Sequence, residues 1–454
     1  MTRPILTAAE MRSAEEAAIA AGTPVGTLME RAGTAAAEAI RRFAGSMPAL
    51  ILCGPGNNGG DGYVIARRLA AAGASVRVAA LGEPKAAAAA AARAAWAGPV
   101  ETLAEAQPAP LVVDALFGTG LHRPLDEAVS GRLLALAEQA RIRLAIDLPS
   151  GAATDDGSLL SPVPHCDLTV TFGALKPSHR LEPAARHMGR IVVADIGIDA
   201  QSRLFAIERP RLPAPGPDDH KYSRGYVAVL AGEMAEASAL AAAAAIRSGA
   251  GYVRLISPAP VPNLPSAIVQ GPDGRLDDAR IGCVLAGPGL GRGIAGRATL
   301  DSALAAGAPL VLDADALFLL ANRPFPAFAQ VPILTPHAGE FARLFGASGG
   351  SKVEQARRAA AASGSVVVYK GPDTVVAAPD GRAGIGCAPH WLATAGTGDV
   401  LAGVIAAMRA RGLEPFEAAC AGVWLQGRAA ELAGAGLIAD DLLPQLRAAL
   451  VECL

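Results

Sequence analysis

Short apolar runs separated by helix-length stretches recur along the chain, and this alternation constrains the fold more than any other feature. Strand candidates at Ala49–Cys53, Val76–Leu81, Leu111–Asp114, Leu144–Ile146, Leu168–Thr171 and Ile191–Ala194 alternate with helical patterns, two of which, Ala8–Ala21 and Thr27–Phe43, precede the first strand. Strands joined by crossovers of that length pair in parallel, and a parallel sheet needs helices over both faces. The chain therefore predicts an α/β protein of three-layer αβα build, with its functional loops at the carboxyl ends of the strands.

The rhythm breaks at Arg209–Asp219, where four prolines and a glycine make a segment too stiff and too poor in apolar residues for a core element. It restarts at Gly225, with strand candidates Tyr226–Leu230, Tyr252–Ile256, Cys283–Ala286, Leu310–Leu312, Ile333–Thr335, Ser365–Tyr369 and Thr374–Ala378, followed by alanine-rich helices. Two domains are expected, residues 1–210 and 218–454, with no tandem repeat because their glycine signatures differ. With 52% hydrophobic and 18% charged residues, each half can bury a core of its own. The balance of 40 basic against 42 acidic residues leaves no electrostatic footprint for nucleic acid. The six cysteines form no C-x-x-C pair and read as reduced core thiols. No run reaches the roughly 20 apolar residues of a membrane span, and the N-terminus carries no apolar signal core. A cytoplasmic enzyme of small metabolites is the expectation. The alanine run Ala86–Ala92 is read as a surface helix.

Gly54, Gly56 and Gly59 satisfy G-x-G-x-x-G between a strand and a helix, the context in which a pyrophosphate rests on a helix N-terminus. A plain nicotinamide dehydrogenase would place a ribose-binding acid about 20 residues further on, yet no Asp or Glu lies between Asp61 and Glu83. The loop instead adds the side-chain oxygens of Asn57, Asn58 and Asp61. Asp114 and Asp147 each close an apolar run beside a glycine-containing turn, and Ser150 follows the second. Any one of these acids could be a cap or turn residue, but three at one sheet edge favour a site. The oxygens of Asn58, Asp114 and Ser150, without histidine or cysteine, suit a hard cation better than zinc.

In the second half, Ala395–Asp399 leads into the helical pattern Val400–Arg411, which aims backbone N–H groups at an anion. Asp399 beside that pocket is either a base for a substrate hydroxyl or a helix cap. Lys370, Gly371, Pro372, Asp373 and Thr374 join two strand candidates and bring a cation and a hydroxyl toward the same anion.

These motifs carry a resemblance. Through LTAAEMR (6–12), LMERAG (28–33), GPGNNGGDGYV (54–64), VDALFGTGL (113–121) and DLPSG (147–151), the first half resembles the NAD(P)H-hydrate epimerases. The resemblance implies a Rossmann-like domain in which Asn57, Asn58, Gly59, Gly60 and Asp61, with Gly118, Thr119, Gly120, Leu121, His122, Arg123, Pro124 and Asp147, contact a hydrated nucleotide. It further implies a potassium ion on Asn58, Asp114 and Ser150. Epimerisation needs a proton shuttle, and Asp147, with a pKa raised by burial, is the expected group, with Asp61 the alternative.

The second half is similar to the ribokinase-like superfamily, and within it to the ADP-dependent NAD(P)H-hydrate dehydratases. RSGAGYVRL (247–255), AGPGLG (286–291), LDADAL (312–317), TPHAGEFARLFG (335–346), KGPDT (370–374) and AGTGDVLAG (395–403) carry that likeness. It implies ADP on Lys370, Gly371, Pro372, Asp373, Thr374 and Gly398, with magnesium a further candidate, and the hydrate on Ala250, Gly289, His337 and Asp399. The chain departs from the pattern at Ala231–Ser238, where Glu233 and Glu236 would repel an anionic ligand. Taken together, the resemblances imply a homo-oligomeric repair enzyme for hydrated NADH and NADPH with no membrane or nucleic-acid partner. The rival is a ribokinase-like small-molecule kinase fused to a nucleotide-binding module, because a phosphate loop beside a base also suits phosphoryl transfer.

Overall fold

The computed structural model describes residues 3–272, 274–321 and 323–454, which divide into two compact units between Leu204 and Phe205. Each unit has its own sheet and its own core.

In the first unit, seven parallel strands run in the spatial order Val100–Thr102, Val76–Ala80, Ala49–Cys53, Leu111–Ala115, Ile142–Ile146, Leu168–Phe172 and Arg190–Ala194. The chain starts on the interior strand Ala49–Cys53, winds outward to Val100–Thr102, then returns to lay Leu111–Ala115 on the other side. At this reversal the loops leaving Cys53 and Ala115 turn to opposite faces and leave a crevice at the carboxyl edge. Alternating side chains cover both faces. Ile51, Val113 and Ile146 pack with Ala36, Ile40 and Val64 of the helices Val25–Ala44 and Asn57–Ala71. Leu50, Leu52 and Val112 pack with Leu133 and Leu136 of the helix Glu127–Gln139. The strand Val100–Thr102 was not expected, being three residues with an acid at its centre. The alanine run forms the surface helix expected, Ala87–Ala94, which exposes Ala87, Ala90 and Ala91 and packs Ala89 and Ala92 on the same core as Ile51.

In the second unit, nine strands follow the order Ala383–Cys387, Asp373–Ala377, Val366–Tyr369, Ile333–Leu334, Leu310–Leu312, Cys283–Ala286, Tyr226–Leu230, Tyr252–Ile256 and Ile268–Gly271. The strands pair in parallel apart from the antiparallel meander Val366–Cys387. Winding reverses between Tyr226–Leu230 and Cys283–Ala286, which opens a second crevice. The helix Thr397–Ala410 lies in the core with Val400–Met408 all buried. It seats tightly on the helix Ala235–Arg247, for a Cβ on Gly403 would fall 2.1 Å from the Ala241 carbonyl oxygen. Its N-terminus is thereby fixed at the sheet's carboxyl edge. Among the described residues, no helix is long and apolar enough to cross a membrane.

The sheet core of the first unit sets a stability expectation. Ile51, with no exposed surface, is expected to cost about 2–5 kcal/mol when changed to alanine. Ile294, 91% exposed, should stay within about 0.5 kcal/mol on the same change. Denaturant unfolding of both variants checks the pair.

Candidate functional site

The crevice of the first unit begins where two loops touch. A Cβ on Gly54 would lie 1.7 Å from the Leu116 carbonyl oxygen, so only glycine lets the loop after Cys53 pass the loop after Ala115. The helix Asn57–Ala71 then starts at Gly56 without a side-chain cap, which leaves first-turn N–H groups for a ligand. A cavity of about 500 Å³ is bounded by Asn57, Asn58 and Asp61, by Gly118, Thr119 and Gly120, and by Asp147, Phe172 and Lys176. Met11, Arg12 and Glu15 of the helix Ala8–Ala20 complete the wall.

Several expected residues lie elsewhere. The α-carbons of Gly59 and Gly60 face the Gly54 backbone and the Met29 side chain, which allows close helix packing. Leu121 is buried, and His122, Arg123 and Pro124 run along the surface outside the cavity wall. Gly118 does belong: a Cβ there would stand 2.9 Å from Asp147 Oδ2 and 3.2 Å from Asn58 Oδ1, so both polar groups converge on one point.

Asp147 follows the strand Ile142–Ile146 with φ at +65°, a left-handed conformation uncommon outside glycine. Its Oδ1 accepts from Lys176 Nζ at 2.7 Å and from Thr171 Oγ1 at 2.8 Å, and its Oδ2 from the Thr119 N–H at 3.2 Å. Burial alone would raise this carboxyl's pKa, but the charge and hydrogen bond of Lys176, helped by Thr171, outweigh it. The net shift is downward, the reverse of the rise expected from the sequence. Asp61 moves the other way: burial, then the charges of Asp147 and Glu15, push it well above the usual carboxylate range. Glu15 is raised too, by burial and by Asp147. One cavity thus holds two carboxyls pushed in opposite directions, Asp147 downward and Asp61 upward, the separation that acid–base chemistry requires.

Asp114, 2% exposed, accepts from Ser150 Oγ at 2.7 Å, the Ser150 N–H at 2.8 Å and the Leu116 N–H at 3.1 Å. Burial raises its pKa despite those bonds. With about four acceptor sites on a carboxylate, one remains open. Ser150 Oγ accepts from the Phe117 N–H at 3.0 Å and lies 3.3 Å from the Phe117 carbonyl. Asn58 has a buried amide nitrogen without a partner while its Oδ1 faces Gly118. Hydroxyl, amide and single-carboxylate oxygens of this kind fit a hard cation. Among the described residues, no group of three or more His, Cys, Asp or Glu is arranged to hold a metal.

In the second unit, Lys370 Nζ lies 2.7 Å from Asp313 Oδ1 and 3.9 Å from Glu340 Oε2. A Cβ on Gly398 would stand 3.4 Å from that ammonium, which places the lysine at the N-terminus of the helix Thr397–Ala410. Asp399, in the helix's first turn, has its pKa pushed up to about 7, by burial first and then by Asp313, with Lys370 opposing. Beside it, a cavity of about 280 Å³ is bounded by Lys370, Gly371, Pro372, Thr374, Gly398 and Gln426.

Asp373 does not share this wall. Its Oδ1 is paired with Lys352 Nζ at 2.5 Å. His337 caps the helix Ala338–Phe345, accepting from the Gly339 N–H at 3.0 Å, and stands 3.4 Å from Glu340, which also approaches Lys370. Gly289 follows the strand Cys283–Ala286 on the same edge, its carbonyl accepting from the Met234 N–H at 3.0 Å. Ala250 is a correction: it precedes the strand Tyr252–Ile256 and so lies at the amino edge of the parallel sheet, opposite the site. The loop Ala231–Met234 is the segment that faces Gly289 instead, with the Glu233 side chain over Gly291.

Sequence reasoning missed Lys176, His179, Glu15, Asp313 and Lys352. Asp313 was findable, since it closes the strand Leu310–Leu312 just as Asp114 and Asp147 close theirs. Lys176 and His179 come after the strand Leu168–Phe172 and the turn at Gly173, and the fold brings them to Asp147.

Residues 25–178 match the family model described as YjeF-related protein N-terminus, and residues 227–450 the one described as NAD(P)H-hydrate dehydratase. A bifunctional NAD(P)H-hydrate repair enzyme of Salinibacter ruber is 36% identical over 518 residues, spanning 98% of this chain and 95% of the relative. One from Escherichia coli is 33% identical over 475 residues, spanning 96% and 92%. A solved structure of an ADP/ATP-dependent NAD(P)H-hydrate dehydratase from Bacillus subtilis, co-crystallised with ATP and magnesium, is 33% identical with a TM-score of 0.48, covering 54% of this chain and 95% of that one.

Asp399 carries a sign for stability. Between its ordinary value of 3.8 and its folded value of about 7, the folded state holds a proton that the unfolded state has released. Stability of the second unit therefore falls as pH rises through that window. Asp399→Asn is expected to melt about 2–4 °C above the unmodified chain at pH 8, with the gap narrower at pH 5 and closing only as pH falls below 3.8. Equal melting temperatures at both pH values would show that the carboxyl is not destabilised.

Proposed function

The chain belongs to the bifunctional NAD(P)H-hydrate repair enzymes, and from that premise we propose that its two crevices divide the work of the repair. The enzyme interconverts the R and S hydrates of NADH and NADPH and dehydrates the S hydrate with ADP. We assign the first step to a domain of residues 1–210 and the second to residues 218–454.

The observation that carries the epimerase assignment is that Asp61 and Asp147 line one cavity with their carboxyls shifted in opposite directions. The hydrate has a hydroxyl on a ring carbon next to the ring nitrogen. Asp61 donates a proton to that hydroxyl, the carbon–oxygen bond breaks with loss of water, and the nitrogen lone pair forms an iminium. Water adds to the other face while Asp147 takes its proton, which inverts the centre. Asn57, Asn58, Gly118, Thr119 and Gly120 orient the nucleotide. Asn58, Asp114 and Ser150 would hold a potassium ion, which when bound supplies fixed positive charge beside an anionic ligand.

In the second unit, Lys370, Gly371, Pro372, Thr374 and Gly398 hold ADP, with magnesium as its counter-ion, while Gly289, His337 and Asp399 face the hydrate. Asp373 acts only through Lys352. Asp399 takes the proton of the ring hydroxyl, the oxygen bonds to the terminal phosphorus of ADP, and AMP leaves. Phosphate then departs with that oxygen as the neighbouring ring carbon loses a proton, and the double bond of the dihydronicotinamide forms. The kinase-like geometry is used without a phosphorylated product accumulating. Its substrates are soluble dinucleotides, and we place the enzyme with them in the cytoplasm, as a homo-oligomer.

Recovery of reduced-nicotinamide absorbance, with potassium and ADP present, tests the division. Asp147→Asn and Asp61→Asn should each slow turnover of the R hydrate by about 10²–10⁴-fold and leave the S hydrate untouched. Asp399→Asn should abolish both recoveries, and in the unmodified chain S-hydrate turnover should rise with pH through about 7 as the base ionises. Recovery of the S hydrate alone by the unmodified chain would sink the epimerase assignment.

A further inference from the structure

We propose that Lys176 and His179 clamp Asp147 in its orientation and charge, and are therefore positioning residues of the epimerase; this rests on the role given to Asp147 above. Lys176 is only 1% exposed although its side chain reaches the cavity wall. Its ammonium has three donors, and all three are used: Asp147 Oδ1 at 2.7 Å, Thr171 Oγ1 at 2.8 Å and the Phe172 carbonyl at 3.0 Å. No donor remains for a ligand. A lysine saturated in this way acts on its carboxylate partner, not on substrate.

His179 supplies the second arm. Its Nδ1 accepts from the Lys176 N–H at 2.8 Å, which puts the ring proton on Nε2, and Nε2 donates to the Asp147 carbonyl at 2.8 Å. The imidazole thus ties the backbone at residue 176 to the backbone at residue 147, where φ is +65°. Burial, and then Lys176, lower its pKa to about 4, so the ring stays neutral and keeps one donor and one acceptor. A carbonyl held from one side and a carboxylate held from the other leave Asp147 no second rotamer to adopt.

Charge makes the clamp necessary. Asp61 faces Asp147 from the helix Asn57–Ala71, and Glu15 faces it from the helix Ala8–Ala20, with Arg12 and Lys85 also on the cavity wall and Lys176, His179 and Arg180 on the near turn. Without Lys176 the like charges share one cavity, and Asp147 takes up a proton. A buried ion pair is a poor device for stability alone, since apolar residues of similar volume serve as well. Its presence against the cavity marks a functional constraint.

Epimerisation of the R hydrate by the full chain, across pH, tests the clamp. Lys176→Met should lower kcat at pH 7 by about tenfold or more with KM within about threefold, and move the acid limb of the profile up by about 1–3 pH units. Lys176→Arg, which keeps the charge, should leave the limb in place. His179→Gln should lower kcat without moving the limb. In an Asp147→Asn background, Lys176→Met should add no further loss. Unchanged S-hydrate turnover in each variant shows that the second unit is intact, and an unchanged thermal unfolding transition shows that the first unit is folded. A natural pH profile in Lys176→Met, a limb displaced equally by Arg and Met, or an undiminished cost in the Asp147→Asn background would each overturn the clamp. Failure of the unmodified chain to epimerise at all would overturn the underlying assignment instead.

Discussion

A parallel sheet that winds in two directions cannot close its carboxyl edge where the winding reverses, and everything chemical in this protein depends on that gap. The two loops at each reversal leave on opposite faces, so only isolated backbone contacts bridge them. In the first unit the gap is narrowed to contact at one point, Gly54 against Leu116, and widens into the cavity beyond. In the second, the loop Ala231–Met234 meets Gly289 through a single backbone bond from Met234. The cores beneath hold the strand ends still, since Ile51, Leu52, Val227 and Val284 are wholly buried. Functional side chains placed at those ends inherit the rigidity of the sheet.

Each unit sets an acid beside a lysine, and the two pairs differ in where the lysine is committed. Lys176 gives its charge to Asp147 directly, and the acid is held ionised. Lys370 is committed to Asp313, so Asp399 feels burial and a neighbouring carboxylate more than it feels the cation, and its value climbs to about 7. The same two residue types therefore yield opposite shifts, decided by which oxygen the ammonium touches. A group that must be ready as a base without an electrophile in place is best kept charged. One that must take a proton from a hydroxyl and release it again near working pH is best left half-compensated.

The sheet strands were legible because burial on both faces produces unbroken apolar runs, as at Ala49–Cys53 and Tyr226–Leu230. Other strands escaped: Val100–Thr102 is half-buried at a sheet edge, and Ala383–Cys387, though buried, carries two glycines that break the apolar run. Strand-end acids were legible for the same reason, since the end of an apolar run can be read directly. Ala250 was misplaced because a motif read along the chain does not say at which sheet edge it emerges. Only the direction of the strand Tyr252–Ile256, which runs away from it, decides that.

The direction of the Asp147 shift was the least legible feature, and for a physical reason. Burial is visible in sequence as apolar context, and it argues for a raised pKa. The compensating ammonium comes from Lys176, 29 positions away, carried in by the strand Leu168–Phe172 and the turn after it. Desolvation is a local property of composition, whereas Coulombic compensation is a property of where the chain returns. For buried acids at strand ends the second effect can reverse the first, so the sign of such a shift follows from the fold and not from the motif.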